Sequence, residues 1–124
     1  MSRIILARRA ENTSRLLATV QDATKTYREE LMRIPKTFML GGQTITVETK
    51  DNIDNDPDID GQAIYAEQKI KMITKLKGDY RGFVFTHELV HHILDKMGER
   101  ELRGNEKFVN LFATFLHQYM KTAK

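Results

Sequence analysis

The chain has 124 residues, of which 40% are hydrophobic and 30% charged, with a formal charge of +3 and no cysteine. That is the size of one domain around one core, and the lack of cysteine excludes a disulfide framework and any thiolate metal site, leaving histidine and carboxylate as metal ligands. No stretch approaches the ~20 apolar residues of a membrane span, and the apolar run at residues 4–7, cut off by Arg8 and Arg9, is shorter than the ~7–15 residues of a secretory h-region, so the expectation is a soluble, cytoplasmic protein.

From about residue 4 to residue 32, Ile5, Leu6, Leu16, Leu17, Val20, Tyr27 and Leu31 recur at spacings that a helix places on one side, with no Gly or Pro between them. This predicts one long helix, or two with a break near residues 11–14. Residues 1–36 carry eight Lys or Arg against four acids, but no aromatic residues interleave with the basic ones as a strand-binding groove for nucleic acid requires, so the excess reads as a solvated helix face. Pro35 ends the helical pattern. The runs TFML and QTITVE, joined by Gly41-Gly42, predict a β-hairpin, because paired glycines supply the positive φ of a tight turn. The acidic stretch TKDNIDNDPDIDG then reads as a loop. In AIYAEQKIKMI, the positions of Ile64, Ile70 and Met72, with Tyr65, suit one or two further strands. Over residues 80–97, Phe85, Leu89, Ile93 and Met97 form a stripe at four-residue steps, and Gly98 stands where a helix commonly ends. Phe108, Leu111, Phe112, Phe115 and Tyr119 repeat at helical spacing in the last segment. The expected class is α+β: a single domain over residues 1–124, with a helical segment at 1–35 and a core at 36–124.

The residues that carry chemistry are His87-Glu88-Leu89-Val90-His91, a full H-E-x-x-H pattern. On a helix, positions i and i+4 lie one turn apart on one face, so both imidazoles can grip one metal ion. Glu88 sits about 100° around the helix from His87, beside the metal without pointing at it, which suits a general base acting on water. Zinc needs a third protein ligand, and Glu106, fifteen positions beyond His91 at the opening of the next helix, can face the imidazoles. Asn110, one turn further, is placed to hydrogen-bond a ligand histidine. Asp95, one turn beyond His91, could orient that histidine or be a solvated helical acid. His92 points off the shared face, and His117 lies ~16 Å along its helix from Glu106, so neither should reach the same ion.

HELVHH followed by NEKFVN resembles the gluzincin pattern of zinc peptidases, H-E-x-x-H and then N-E-x-x-x-D, with Asn110 where aspartate often stands. FVFTHELVHHIL and the later Asn110-Leu111-Phe112-Ala113 also look like the ImmA/IrrE family of small bacterial and phage metallopeptidases. The resemblance spans about residues 61–116. It implies a zincin-like fold in which the helix bearing the histidines packs beneath an antiparallel sheet, whose edge strand lines the cleft and pairs with an extended peptide substrate. It further implies one zinc per chain and a bacterial or phage regulatory setting. Little chain follows the third ligand, which makes the protein more similar to the minigluzincins than to larger gluzincins with a C-terminal subdomain. Tyr65 and Tyr80 are then the candidates for a phenol reaching a developing oxyanion, against the plainer reading of packing or surface tyrosines.

One further motif stands apart. Asp56, Asp58, Asp60, Gly61 and Glu67 satisfy the spacing of an EF-hand calcium loop. Pro57 at the second position, flanks that read as strands, and Gly61 with Tyr65 fitting the start of the edge strand favour a solvated acidic loop instead. Three functions remain open on sequence grounds: a zinc metallopeptidase, a latent or non-catalytic zinc-binding regulatory module, and an interaction protein without metal.

Overall fold

In the computed structural model the described residues are 2–4, as backbone, and 33–124. The helix expected from about residue 4 to residue 32 falls outside them, apart from its first residue. Ile4 is the end of a strand, β1 (Ser2–Ile4).

Gly41 and Gly42 have φ of 57° and 81°, a pair of left-handed residues that closes the expected hairpin of β2 (Thr37–Leu40) and β3 (Gln43–Lys50), with Leu40 opposite Gln43. β4 (Gly61–Ile64) and β5 (Lys69–Ile73) form a second antiparallel hairpin, Ile64 opposite Lys69. The two hairpins join through a parallel ladder between β3 and β5, and β1 pairs antiparallel with β4. The result is a five-stranded mixed sheet of order β1-β4-β5-β3-β2. Three of its four ladders are antiparallel, yet β4 is an interior strand, which corrects the expectation that Gly61 opens an edge strand.

Three helices follow among the described residues: α1 (Gly78–Met97), α2 (Arg100–Arg103) and α3 (Glu106–Thr122). Gly98, at φ 79°, ends α1 with its N–H returned to Asp95 and Leu94, the left-handed cap that glycine adopts without steric cost. The α1 helix has two buried faces. Towards the sheet, Val84 joins Ile45, Ile53, Ile59, Ile70, Met72, Ile73 and Leu76 in one apolar cluster. Towards α3, Val90 and Leu94 meet Val109 and Ala113. The acidic segment between β3 and β4 is a loop as expected, but Ile53 and Ile59 turn inward from it and are fully buried, which pins the loop to the core.

At the start of α1, Gly82 gives α3 room to approach: a Cβ there would lie 2.9 Å from His117 Cε1. His117 Nε2 lies 2.9 Å from Asp79 Oδ1, and Lys121 donates to the same oxygen at 2.8 Å. These contacts tie the end of α3 to the beginning of α1. Their attraction outweighs the cost of burial and holds the Asp79 carboxyl well below the usual carboxylate range. The same geometry accounts for His117 away from the H-E-x-x-H residues. His92, also buried, donates from Nε2 to the Lys69 carbonyl at 2.8 Å, fastening α1 to β5. Burial keeps its imidazole below the ordinary histidine range.

Candidate metal centre

Helical spacing brings the His87 and His91 rings to 4.9 Å between centroids, on the side of α1 that faces α3. The carboxylate opposite them is placed by a helix cap. Asn105 Oδ1 accepts a hydrogen bond from the Phe108 N–H at 3.0 Å, satisfying one of the open donors at the start of α3 and making Glu106 the first residue of that helix. Glu106 Oε1 then lies 3.1 Å from His87 Nε2, Glu106 Oε2 lies 3.3 Å from His91 Nε2, and the two Nε2 atoms are 3.2 Å apart.

These spacings can be tested against an ion. Tetrahedral bonds of ~2.0–2.1 Å, the lengths typical of imidazole and carboxylate on zinc, separate adjacent donors by about 3.3 Å. The three side chains present donor atoms at that separation without rearrangement. Among the described residues, His87, His91 and Glu106 are the sole group of three or more His, Asp or Glu side chains close enough to hold one ion. The donor set fits a divalent metal of intermediate softness.

The orientation of His91 is fixed from behind. Its Nδ1 lies 2.7 Å from the Arg103 carbonyl oxygen. A carbonyl can only accept, so Nδ1 carries the proton and Nε2 is left with its lone pair towards Glu106 and His87. The four-residue α2 between the two major helices thus delivers a main-chain acceptor to the metal-site histidine. Asp95 does not orient His91 directly, as its position on the helix had allowed; it pairs with the Arg103 guanidinium, which also lies over the Tyr65 ring at 4.3 Å. Asn110 corrects a second expectation. Its Oδ1 and His87 Nδ1 are both buried without a hydrogen-bond partner, so the anticipated bond to a ligand histidine is not formed.

Burial pushes the Glu106 carboxyl up, but the imidazoles of His87 and His91 beside it pull it further down, and the net effect leaves it well below the usual carboxylate range. Glu106 is half exposed and ionised. Glu88 is its opposite: wholly buried, with neither carboxylate oxygen hydrogen-bonded. Burial first and the Glu106 charge second raise its pKa well above that of an ordinary glutamate. Such surroundings favour the protonated carboxyl, and positive charge brought near it would oppose them. The carboxylate lies against β4, where a Cβ on Gly61 would come within 3.2 Å of Glu88 Oε2 and 2.6 Å of Val84 Cγ1. Gly61 is therefore part of the site, and its signal in the sequence, a glycine opening a strand, is a common mark of close backbone approach.

The tyrosines stand elsewhere. Tyr65 Oη lies 3.2 Å from His91 Nδ1, behind the imidazole and away from Nε2. Tyr80 donates to Asp60 Oδ2 at 2.7 Å. The calcium pattern does not assemble: Asp56 Oδ1 accepts from the Asp58 N–H, Asp60 is buried on Tyr80, and Glu67, in the turn between β4 and β5, reaches Lys69 Nζ at 3.7 Å. Among the described residues no helix is long and apolar enough to cross a membrane. Comparison with models of protein families, with curated proteins and with solved structures finds no match in any of the three.

Proposed function

We propose that the chain is a zinc-dependent peptidase in which His87, His91 and Glu106 hold the ion and Glu88 is the general base. The observation that carries this reading is the convergence of three donor atoms from α1 and α3 at 3.1–3.3 Å separations, next to an unpartnered carboxylate one residue from His87. The ion, when bound, would polarise the scissile carbonyl, make water a nucleophile at neutral pH and offset the repulsion that Glu106 imposes on Glu88. Glu88 takes the proton of the attacking water and passes it to the leaving amine. A carboxyl whose surroundings favour the protonated form is suited to carrying that proton between the two steps. His91, locked by the Arg103 carbonyl, and Glu106, locked by the Asn105 cap, keep the donors in place without rearrangement. A helix bearing both histidines beneath a sheet, followed by a helix bearing the carboxylate, supports a zincin-like fold with an extended peptide as substrate.

A second reading, a zinc-holding regulatory module without turnover, is favoured by one observation. Glu88 and His91 are fully buried and His87 is 1% exposed. Metal analysis of chain purified without added metal or affinity tag tests the site, with one zinc per chain expected and Glu106→Ala losing it; no zinc after reconstitution rejects both readings. Digestion of dye-quenched casein separates them. A peptidase loses about a hundredfold or more of its rate in Glu88→Gln while keeping zinc, whereas for a module this substitution changes no digestion rate.

A further inference from the structure

Peptides that bind as added strands need a sheet edge with open N–H and C=O groups beside the reacting atoms. In this fold the strand beside those atoms is β4, because Gly61 touches Glu88, and β4 has no open edge. One side is paired to β5 and the other to residues 2–4 of the same chain, Ser2 opposite Ala63, Arg3 opposite Gln62 and Ile4 opposite Gly61. β1 runs antiparallel to β4 and also lies against α1, the helix that carries His87, Glu88 and His91. The paired backbone therefore ends opposite the very glycine that abuts the general base. Glu88, His87 and His91 are shut from solvent in this arrangement. Three residues joined to one neighbouring strand make a short ladder, which a longer peptide can displace.

We propose that residues 2–4 occupy the peptide-binding edge of β4 as an internal stand-in for substrate, so that the resting protein is closed and opens by strand exchange. This rests on the peptidase reading and adds its regulation. The occupant is held through main-chain hydrogen bonds, so the competing substrate is any extended peptide segment entering antiparallel to β4, with little demand on its sequence.

The test uses the full chain, whose lack of cysteine permits an unambiguous lock. In Arg3→Cys/Gln62→Cys, the two positions face each other across the ladder, at a separation that a disulfide can bridge. Gln62 is buried and donates to Asp54, so the oxidised and reduced forms of this one variant are compared with each other. The release variant is Arg3→Pro/Ile4→Pro, which removes a ladder donor whichever of the two N–H groups faces β4. Rates are measured on dye-quenched casein, with zinc content determined alongside. The proposal expects the release variant to digest casein at least tenfold faster than the unmodified chain. It expects the oxidised lock to fall to the rate of Glu88→Gln and to recover on treatment with a phosphine reductant, all forms keeping zinc. Should the release variant fail to fold, the oxidised-to-reduced difference decides alone. Equal rates in the unmodified, oxidised and reduced chains, all above Glu88→Gln, overturn the strand as occupant and leave the peptidase reading standing. Zinc-loaded chains that digest nothing, the release variant included, overturn both.

Discussion

Gly61→Ala puts the packing of the site to a direct test. The added methyl would lie 2.6 Å from Val84 Cγ1, 3.2 Å from Glu88 Oε2 and 3.3 Å from Glu88 Cγ. Carbon contacts settle at ~3.5–4.0 Å, so Val84 must give way by about 1 Å. It is a buried, β-branched residue in the middle of α1, with no free rotamer to adopt. The strain passes to the backbone, parting β4 from α1, at a cost of about 1–3 kcal/mol. For a domain of this size that lowers the melting temperature by about 4 °C per kcal/mol.

The clash can be relieved from the other side. Val84→Ala alone costs about 1–2.5 kcal/mol for its lost methyls and the cavity they leave, but in Gly61→Ala/Val84→Ala the new methyl occupies part of that space. The double variant should therefore be less destabilised than the sum of the single ones, with a coupling of about 1–2 kcal/mol in urea unfolding. Casein digestion should follow a different pattern, remaining low in the double variant because the contact with the Glu88 carboxylate persists. Additivity of the two substitutions, or a Gly61→Ala protein melting with the parent, would show that β4 does not press on α1 at this point.

Three other expectations use groups around the site. In metal-free protein, Glu88→Gln should be stabilising, and increasingly so with pH: the native pKa is raised, so the parent's stability is complete below the unfolded value of about 4.3 and declines above it. Urea unfolding with chelator at pH 4 and pH 8 checks this, and a gap that does not widen refutes it. Asp79→Asn should cost about 1 kcal/mol or less at pH 7, because a side chain 61% exposed is screened by solvent. Its native pKa is depressed, so the difference from the parent should shrink as pH falls below the unfolded value of about 3.9 and vanish only below the native pKa, the sign opposite to that of Glu88. Tyr65→Phe should leave kcat on casein within about threefold, since removal of a true oxyanion donor costs about 10²–10³; a loss of that size would place the phenol on the reacting side of His91.

What could be read ahead of the structure followed from short-range rules. The i, i+4 histidines, the Gly41-Gly42 turn, the Gly98 cap and the placing of Glu106 at the opening of the last helix each rest on a few neighbouring residues, where spacing determines geometry. What escaped depended on distance or on the main chain. The acceptor that orients His91 is the Arg103 carbonyl, which any residue would supply and no pattern reveals. The guanidinium of that residue drew Asp95 away from the role its helical position suggested. His117 and Asp79 meet across 38 positions. A three-residue strand has too few residues to display a period, so the sequence pattern runs Ile4 into the helix that follows and gives no sign that β1 covers the edge of β4. Hydrophilic neighbours hid Ile53 and Ile59 within the acidic loop, although two isoleucines in such a stretch are what a loop anchored to the core would contain.

The buried polar groups also bear on what the fold is for. A core seeking only stability would not hold a carboxylate with neither oxygen hydrogen-bonded, nor leave His87 Nδ1 without a partner, because each such group costs ~1–3 kcal/mol or more when charged. The surrounding structure is arranged to tolerate them. The α1 helix is anchored on two faces, by the sheet cluster around Val84 and by Val90 and Leu94 against α3, and fastened again by His92 on Lys69 and by the contacts of His117 and Lys121 with Asp79. Those contacts flank residues 87–91 on both sides and involve none of the three donor atoms. The helix is held rigid by groups that take no part in the chemistry, leaving the Nε2 atoms of His87 and His91 fixed in position opposite the Glu106 carboxylate, which is the preorganisation that a binding site for a cation requires.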